Sequence, residues 1–201
     1  AGNKLEDLHQ AVTYLGRRGL SELMMAVAMK PIMQTDKGYF HQQAANLTWC
    51  QALKAAVACR NLAKDFELNQ FEAYLCGLMH NTGLMIILRQ LDKVPELLQA
   101  PHSLAFQNRS EKFAAQMSHI IAGEWDLPTN VLSALVERIN SPVEKPRTQL
   151  SEVLQLGIGI ARMHTLSDVG RYKNAADTLD LFSRQDCGRA STRIYDKLLS
   201  T

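Results

Sequence analysis

From Tyr39 to Phe66 the chain runs without a single glycine or proline, and its larger apolar residues, Leu47, Trp49, Cys50, Leu53, Val57, Leu62 and Phe66, are set among alanines. That spacing follows the 3.6-residue period of an α-helix, and nothing inside the run can interrupt it, so one long helix is predicted there. The rest of the chain must pack around that rod. No other segment offers sustained period-two alternation bounded by turn dipeptides, which removes a sheet as the partner and leaves helices. The expected architecture is therefore all-α, a compact multi-helix domain.

The neighbouring segments fit this reading. Leu5, Leu8, Val12 and Leu15 repeat at helical spacing ahead of Gly16, which reads as a helix stopped by glycine. Leu20 to Met29 is apolar nearly all round, so that helix is expected to be buried on most sides until Pro31 ends it. Asn69 followed by Glu72 has capping-box spacing and predicts a helix start, with the stop near Asn81 or Gly83. A further helix is expected over Leu84 to Leu91, with a short helical turn after Pro95. Asn108 and Glu111 repeat the capping spacing, ahead of a stripe formed by Phe113, Met117, Ile120, Ile121 and Trp125. Pro128 suits the first turn of the next helix, which carries Val131, Leu132, Leu135 and Ile139 and ends at Ser141 and Pro142. Leu150, Val153, Leu154, Ile158 and Ala161 mark another buried helix, and a last one is expected around Thr192 to Leu199.

Composition narrows the class of function. With 46% hydrophobic and 21% charged residues in 201, the chain has a globular balance, not a disordered one. The net charge of +2 is small and its positive excess, beyond residue 137, is diffuse, so no phosphate-tracking stripe for nucleic acid is visible. Uncharged stretches such as Ala73 to Leu88 are interrupted by Gly77, His80, Asn81 and Gly83, so no membrane span is expected. No basic, apolar and small-residue leader pattern opens the sequence, which predicts a cytoplasmic protein. Cys50, Cys59, Cys76 and Cys187 are irregularly spaced with no CxxC pair, and are expected to be reduced and mostly buried.

One string suggests a named site: Leu75-Cys76-Gly77-Leu78-Met79-His80-Asn81-Thr82-Gly83. By itself it is also an ordinary helix end, with Asn81 or Gly83 in the left-handed conformation and His80 satisfied by the backbone or by Asn81. In context it resembles the Gly-Leu-Leu-His-Asp-Ile-Gly signature of the HD superfamily of metal-dependent phosphohydrolases. Ala11-Val12-Thr13-Tyr14-Leu15-Gly16-Arg17-Arg18-Gly19-Leu20, then Leu47-Thr48-Trp49, the His80 string, and His119 through Trp125-Asp126-Leu127-Pro128 narrow the likeness. In order and approximate spacing they resemble the HDOD family, the HD-related output domains of bacterial signalling proteins. The resemblance covers most of residues 5 to 165. It implies a helical domain over 1–165 lacking part of the family's N-terminal helical segment. Residues 166–201 would be an extension whose final helix packs on the same domain.

The resemblance also implies where a metal site would stand. HD phosphohydrolases hold divalent cations with two histidines and two aspartates, which generate hydroxide and clamp phosphate. The corresponding positions here are Gln51, the pair His80 and Asn81, and Ile158; the extra histidine pair of some active members falls near Ile139 and Asn140. Only His80 keeps a ligand. Asn81 supplies a neutral amide where the bridging carboxylate belongs, and Leu84 follows Gly83 where a basic residue is common. The expectation is no metal, no cofactor and no hydrolysis. The chain would then be a non-catalytic regulatory domain acting on another signalling protein or a neighbouring domain. The rival is a domain that binds a nucleotide or cyclic dinucleotide in the vestigial cleft without turning it over. An active phosphohydrolase with substituted ligands is the least favoured reading. Outside the site, Trp49 and Trp125 are expected to anchor the core, and His119 to pack or face solvent. Arg17 and Arg18 are either a solvated junction or a contact for an anion or a partner's carboxylate.

Overall fold

A computed structural model of the chain describes residues 8–31, 39–91, 104–140 and 148–168, and every regular element among them is helical. In chain order these are α1 (Leu8–Met29), α2 (Tyr39–Asp65), α3 (Gln70–Met79), α4 (Thr82–Leu91), α5 (Leu104–Glu124), α6 (Thr129–Asn140) and α7 (Gln149–Asp168). The all-α architecture expected from the sequence is what the chain adopts. The predicted turn after Pro95, the final helix at Thr192 to Leu199 and all but the start of the 166–201 extension lie outside the described residues.

The uninterrupted segment is the central rod. α2 packs against α3 and α7 along its length, and its buried face is small: Ala52, Ala55, Ala56, Ala58, Cys59 and Ala63 are sealed from solvent. Small side chains let the neighbouring backbones come close. A Cβ on Gly77 of α3 would sit 2.6 Å from the Ala55 carbonyl and the Ala56 Cα, and one on Gly157 of α7 would run into Cys59 Sγ. Apart from Leu62 of α2 itself, the large core side chains come from the surrounding helices, among them Leu75, Leu78 and Met79 of α3, Val131 and Leu135 of α6, and Val153, Leu154 and Ile160 of α7. Trp49 and Trp125 pack against this cluster half-buried.

Two helix ends use a device that the sequence conceals. After α2, Leu68 N–H donates to Ala63 O and Glu67 N–H to Lys64 O; after α5, Leu127 N–H donates to Ala122 O and Asp126 N–H to Gly123 O. Both are Schellman closures, a pattern that wants a left-handed residue at its bend and usually employs glycine. Here the bends are Glu67 (φ 54) and Asp126 (φ 52). Each is preceded by an aromatic and followed by leucine, Phe66-Glu67-Leu68 and Trp125-Asp126-Leu127, and the next helix starts directly after. Asn69 caps α3 as predicted, its Oδ1 accepting from Phe71 N–H and Glu72 N–H; Glu72 reaches back to the Asn69 amide group rather than to its backbone. Pro128 precedes α6 and its carbonyl takes the first helical bonds, from Val131 and Leu132.

Five expectations are corrected. α1 is bent, not ended, at Gly16, whose φ of 64 and ψ of 176 interrupt an otherwise continuous helix. Its second half is not buried on most sides: Glu22, Ala26 and Met29 are buried and Met25 half-buried against the core, while Leu23, Met24 and Val27 are exposed, because α3 is its main neighbour and meets one stripe. That stripe is fixed by polar contacts, with Arg60 donating to Glu22 across 2.7 Å, Tyr74 OH to Glu22 O, and Arg18 to Gln70. α5 begins at Leu104, so Asn108 lies inside a helix that the good formers ahead of it extend. The inward face of α5 is Ala114, Ala115, Ser118 and Ala122, whereas Phe113 and Ile120 of the expected stripe are exposed. Cys59 and Cys76 are buried as expected, but Cys50 is exposed. The stretch Gln70–Gln90, apolar and long enough by composition to cross a membrane, is split at His80 and Asn81 into α3 and α4 and is mostly interior.

Candidate functional site

The joint between α3 and α4 creates the site. α3 stays right-handed through its C-cap, His80 (φ −57, ψ −27), whose N–H bonds to Cys76 O. Asn81 O then accepts from Leu84 and Met85 to begin α4, and Thr82 Oγ1 donates to Met79 O across the joint. The left-handed residue expected at Asn81 or Gly83 is not there: among the described residues, positive φ occurs at Gly16, Glu67 and Asp126. Gly83 is instead a packing glycine. A Cβ on it would overlap the Ala114 carbonyl and lie 2.8 Å from Ser118 N. That approach brings Ser118 Oγ to the joint, where it accepts from Gly83 N–H at 2.9 Å and lies 3.1 Å from His80 O.

His80 is buried, 2% exposed, and its two polar ends are held separately. Nδ1 lies 2.6 Å from Gly77 O. A carbonyl only accepts, so Nδ1 carries the proton and Nε2 has the lone pair. The backbone carbonyl of His80 accepts a 2.7 Å hydrogen bond from Arg138 of α6. Burial, reinforced by the charge of Arg138 and opposed by the bond to Gly77, pushes the imidazole down to about 3, so it is neutral. Arg138 is itself held below its ordinary value, chiefly by burial; Glu111 opposes that and Arg162 adds to it.

These groups border one cavity of about 170 Å³. Gln51 reaches it from α2, His80 and Asn81 from the joint, Glu111 from α5, Arg138 from α6, and Ile158 and Arg162 from α7. Four of the five positions picked out in the sequence, Gln51, His80, Asn81 and Ile158, are thus brought together. Asn140 ends α6, and its side chain lies outside the described residues. Glu111, Ser118, Arg138 and Arg162 were not legible. Arg138 interrupts the apolar face of α6 between Leu135 and Ile139, and Arg162 stands one turn beyond Ile158, but a basic residue at such places ordinarily reaches solvent.

The donor set does not fit a divalent cation. One imidazole nitrogen is committed to Gly77 O, the acid positions carry the amide of Asn81 and the hydrocarbon of Ile158, and two guanidiniums line the same space. Hard or borderline cations need anionic oxygens and neutral nitrogens converging on a point. Among the described residues no group of three His, Cys, Asp or Glu side chains does so.

An all-helical domain with a degenerate HD site is the class that fold and cavity define. The HDOD domain family matches residues 1–142, and the chain belongs to that family, a branch of the HD superfamily found as output domains in signalling. A Treponema pallidum (strain Nichols) sequence described as an "Uncharacterized protein" is 26% identical over 146 residues, 68% of this chain and 27% of that protein. The chain therefore spans about a quarter of the length of this relative. No solved structure matches. The family match stops short of α7, yet α7 packs on the central α2 and supplies Ile158 and Arg162 to the cavity.

Proposed function

We propose that this domain is a non-catalytic signalling module of the bacterial cytoplasm, acting by contact with another signalling protein or a neighbouring domain. The observation that carries the reading is Arg138. A guanidinium bonded to the His80 carbonyl at 2.7 Å, with Arg162 on the same cavity, places fixed positive charge where metal-dependent hydrolysis would require a cation. Among the described residues, two guanidiniums against the single carboxylate of Glu111 disfavour a divalent ion before any ligand is counted. Contact surface is available in the exposed apolar residues of α1, where Leu23, Met24 and Val27 are 49%, 63% and 60% accessible.

Two measurements test this. Phosphomonoester and cyclic-dinucleotide hydrolysis assayed with Mn²⁺, Mg²⁺ or Fe²⁺ is expected to stay at the buffer rate; metal-dependent turnover abolished by a chelator refutes the reading. In the full-length protein, Leu23→Asp with Val27→Asp is expected to uncouple the domain from its neighbour or partner while leaving its melting temperature unchanged. Retention of full signalling by that variant counts against α1 as the contact surface.

A further inference from the structure

Among the described residues, the cavity at the α3–α4 joint holds more positive charge than its lining neutralises. His80 is neutral, Glu111 is the one carboxylate among the described residues of the lining, and Arg138 and Arg162 reach it from different helices. Among the described residues, Arg138 makes one side-chain hydrogen bond, to His80 O. A guanidinium has five N–H donors in a planar fork, so most of its donors have no hydrogen-bond partner among the described residues. Gln51 and Asn81 add two amide side chains to the same wall. The wider cavity between α3, α6 and α7, about 410 Å³, offers no comparable demand: the oxygens of Glu72 there are taken by Asn69 and Asn130.

We propose that the joint cavity binds a phosphate group, free or carried on a small metabolite, with Arg138 and Arg162 as charged contacts and Gln51 and Asn81 as neutral ones. Two forks arriving from separate helices suit an anion with three outward oxygens, whereas a carboxylate is satisfied by one fork. A volume of about 170 Å³ accommodates on the order of ten water-sized positions, enough for a phosphate and part of the body attached to it. Binding would also bear on the joint itself, because the anion and the His80 carbonyl draw on the same guanidinium. Arg138 thus ties cavity occupancy to the contact between α6 and the α3–α4 joint. The inference rests on the reading of the cavity as free of metal.

Calorimetric titration in the presence of EDTA tests it, with inorganic phosphate, AMP and acetate as probes. Saturable binding of inorganic phosphate or AMP is expected, with acetate at least about tenfold weaker; whichever phosphate binds tighter tells free anion from ester. Arg162→Ala, at an exposed position, is expected to weaken phosphate binding about tenfold or more, the loss of one charge-assisted contact. Arg17→Ala, on exposed α1, is expected to leave it unchanged. No saturation below about 10 mM with or without Mn²⁺, acetate equal to phosphate, or an unaltered affinity in Arg162→Ala overturns the proposal. Binding that appears only after Mn²⁺ is added instead overturns the metal-free reading beneath it.

Discussion

His80 makes a prediction about acid stability whose size follows from its surroundings. In the unfolded chain the imidazole titrates near its ordinary 6.5, while in the fold it is pushed down to about 3. Between those values the unfolded state binds a proton that the folded state refuses, so stability falls as pH drops through this window and is fully present above it. From pH 7 to pH 5 the loss from this one group is about 2 kcal/mol, and it keeps that size for any folded value well under 5. For a chain of this length that lowers Tm by about 4–8 °C. The measurement is chemical or thermal denaturation of the native protein and of His80→Asn at pH 7 and pH 5. An asparagine amide can still donate toward Gly77 O but does not titrate, and the other histidines contribute equally to both proteins, so the difference between the two pH dependences isolates His80. Parallel curves would mean that the imidazole accepts a proton without penalty. The account of a buried, neutral ring flanked by Arg138 would then be wrong.

Three further outcomes are expected. Glu67→Gly and Asp126→Gly should each stabilise the fold by about 0.5–1 kcal/mol, because the left-handed bend costs an ordinary residue more than glycine's extra chain entropy; a fall in denaturation midpoint would contradict the Schellman assignment. Gly77→Ala should destabilise by about 3 kcal/mol, since the new methyl meets Ala55 and Ala56 backbone at 2.6 Å and backbone cannot rotate away; near-native stability would mean that α2 and α3 are not so close. With a thiol reagent under native conditions, Cys50 should react promptly while Cys59 and Cys76 wait for unfolding. Burial raises both of those thiols, Cys59 to about 12, and rapid labelling of either would show an open core.

The contrast between what the chain discloses and what it hides has a physical pattern. The long α2 was readable because nothing in Tyr39 to Phe66 opposes a helix, and the α3 start because Asn69 and Glu72 state it locally. The breaks after Phe66 and Trp125 were readable from the Asn69 cap and from Pro128, but the way these helices close was obscured by charged residues standing where glycine is customary. The α1 surface was misjudged for a related reason: apolar content says that a helix can be buried, but only its neighbours decide how many faces are. α5 shows the converse, burying Ala114, Ser118 and Ala122 and exposing Phe113, because the close approach of α4 at Gly83 excludes large side chains. At the site, the degenerate positions Gln51, His80, Asn81 and Ile158 were traceable by resemblance. Arg138 and Arg162 were not, because their importance comes from which cavity they enter and not from any pattern along the chain.

Those two arginines change what the missing acids mean. Had the HD-type ligands merely been lost, the cavity would be a neutral hollow, and burial alone would hold His80 neutral. Instead the described lining is positive, and the same guanidinium that repels a cation from the imidazole also bonds the carbonyl of that residue. An aspartate at position 81 would favour the protonated ring and pair with positive charge nearby; the amide of Asn81 does neither, so a neutral imidazole and an under-neutralised guanidinium coexist. On the proposed reading the electrostatic preference of the site is the reverse of a cation cage: a wall of donors that can gather around an anion. A structural joint between two helices lies directly behind that wall, so an anion bound as proposed would compete with the His80 carbonyl for Arg138 and load the contact between α6 and the joint.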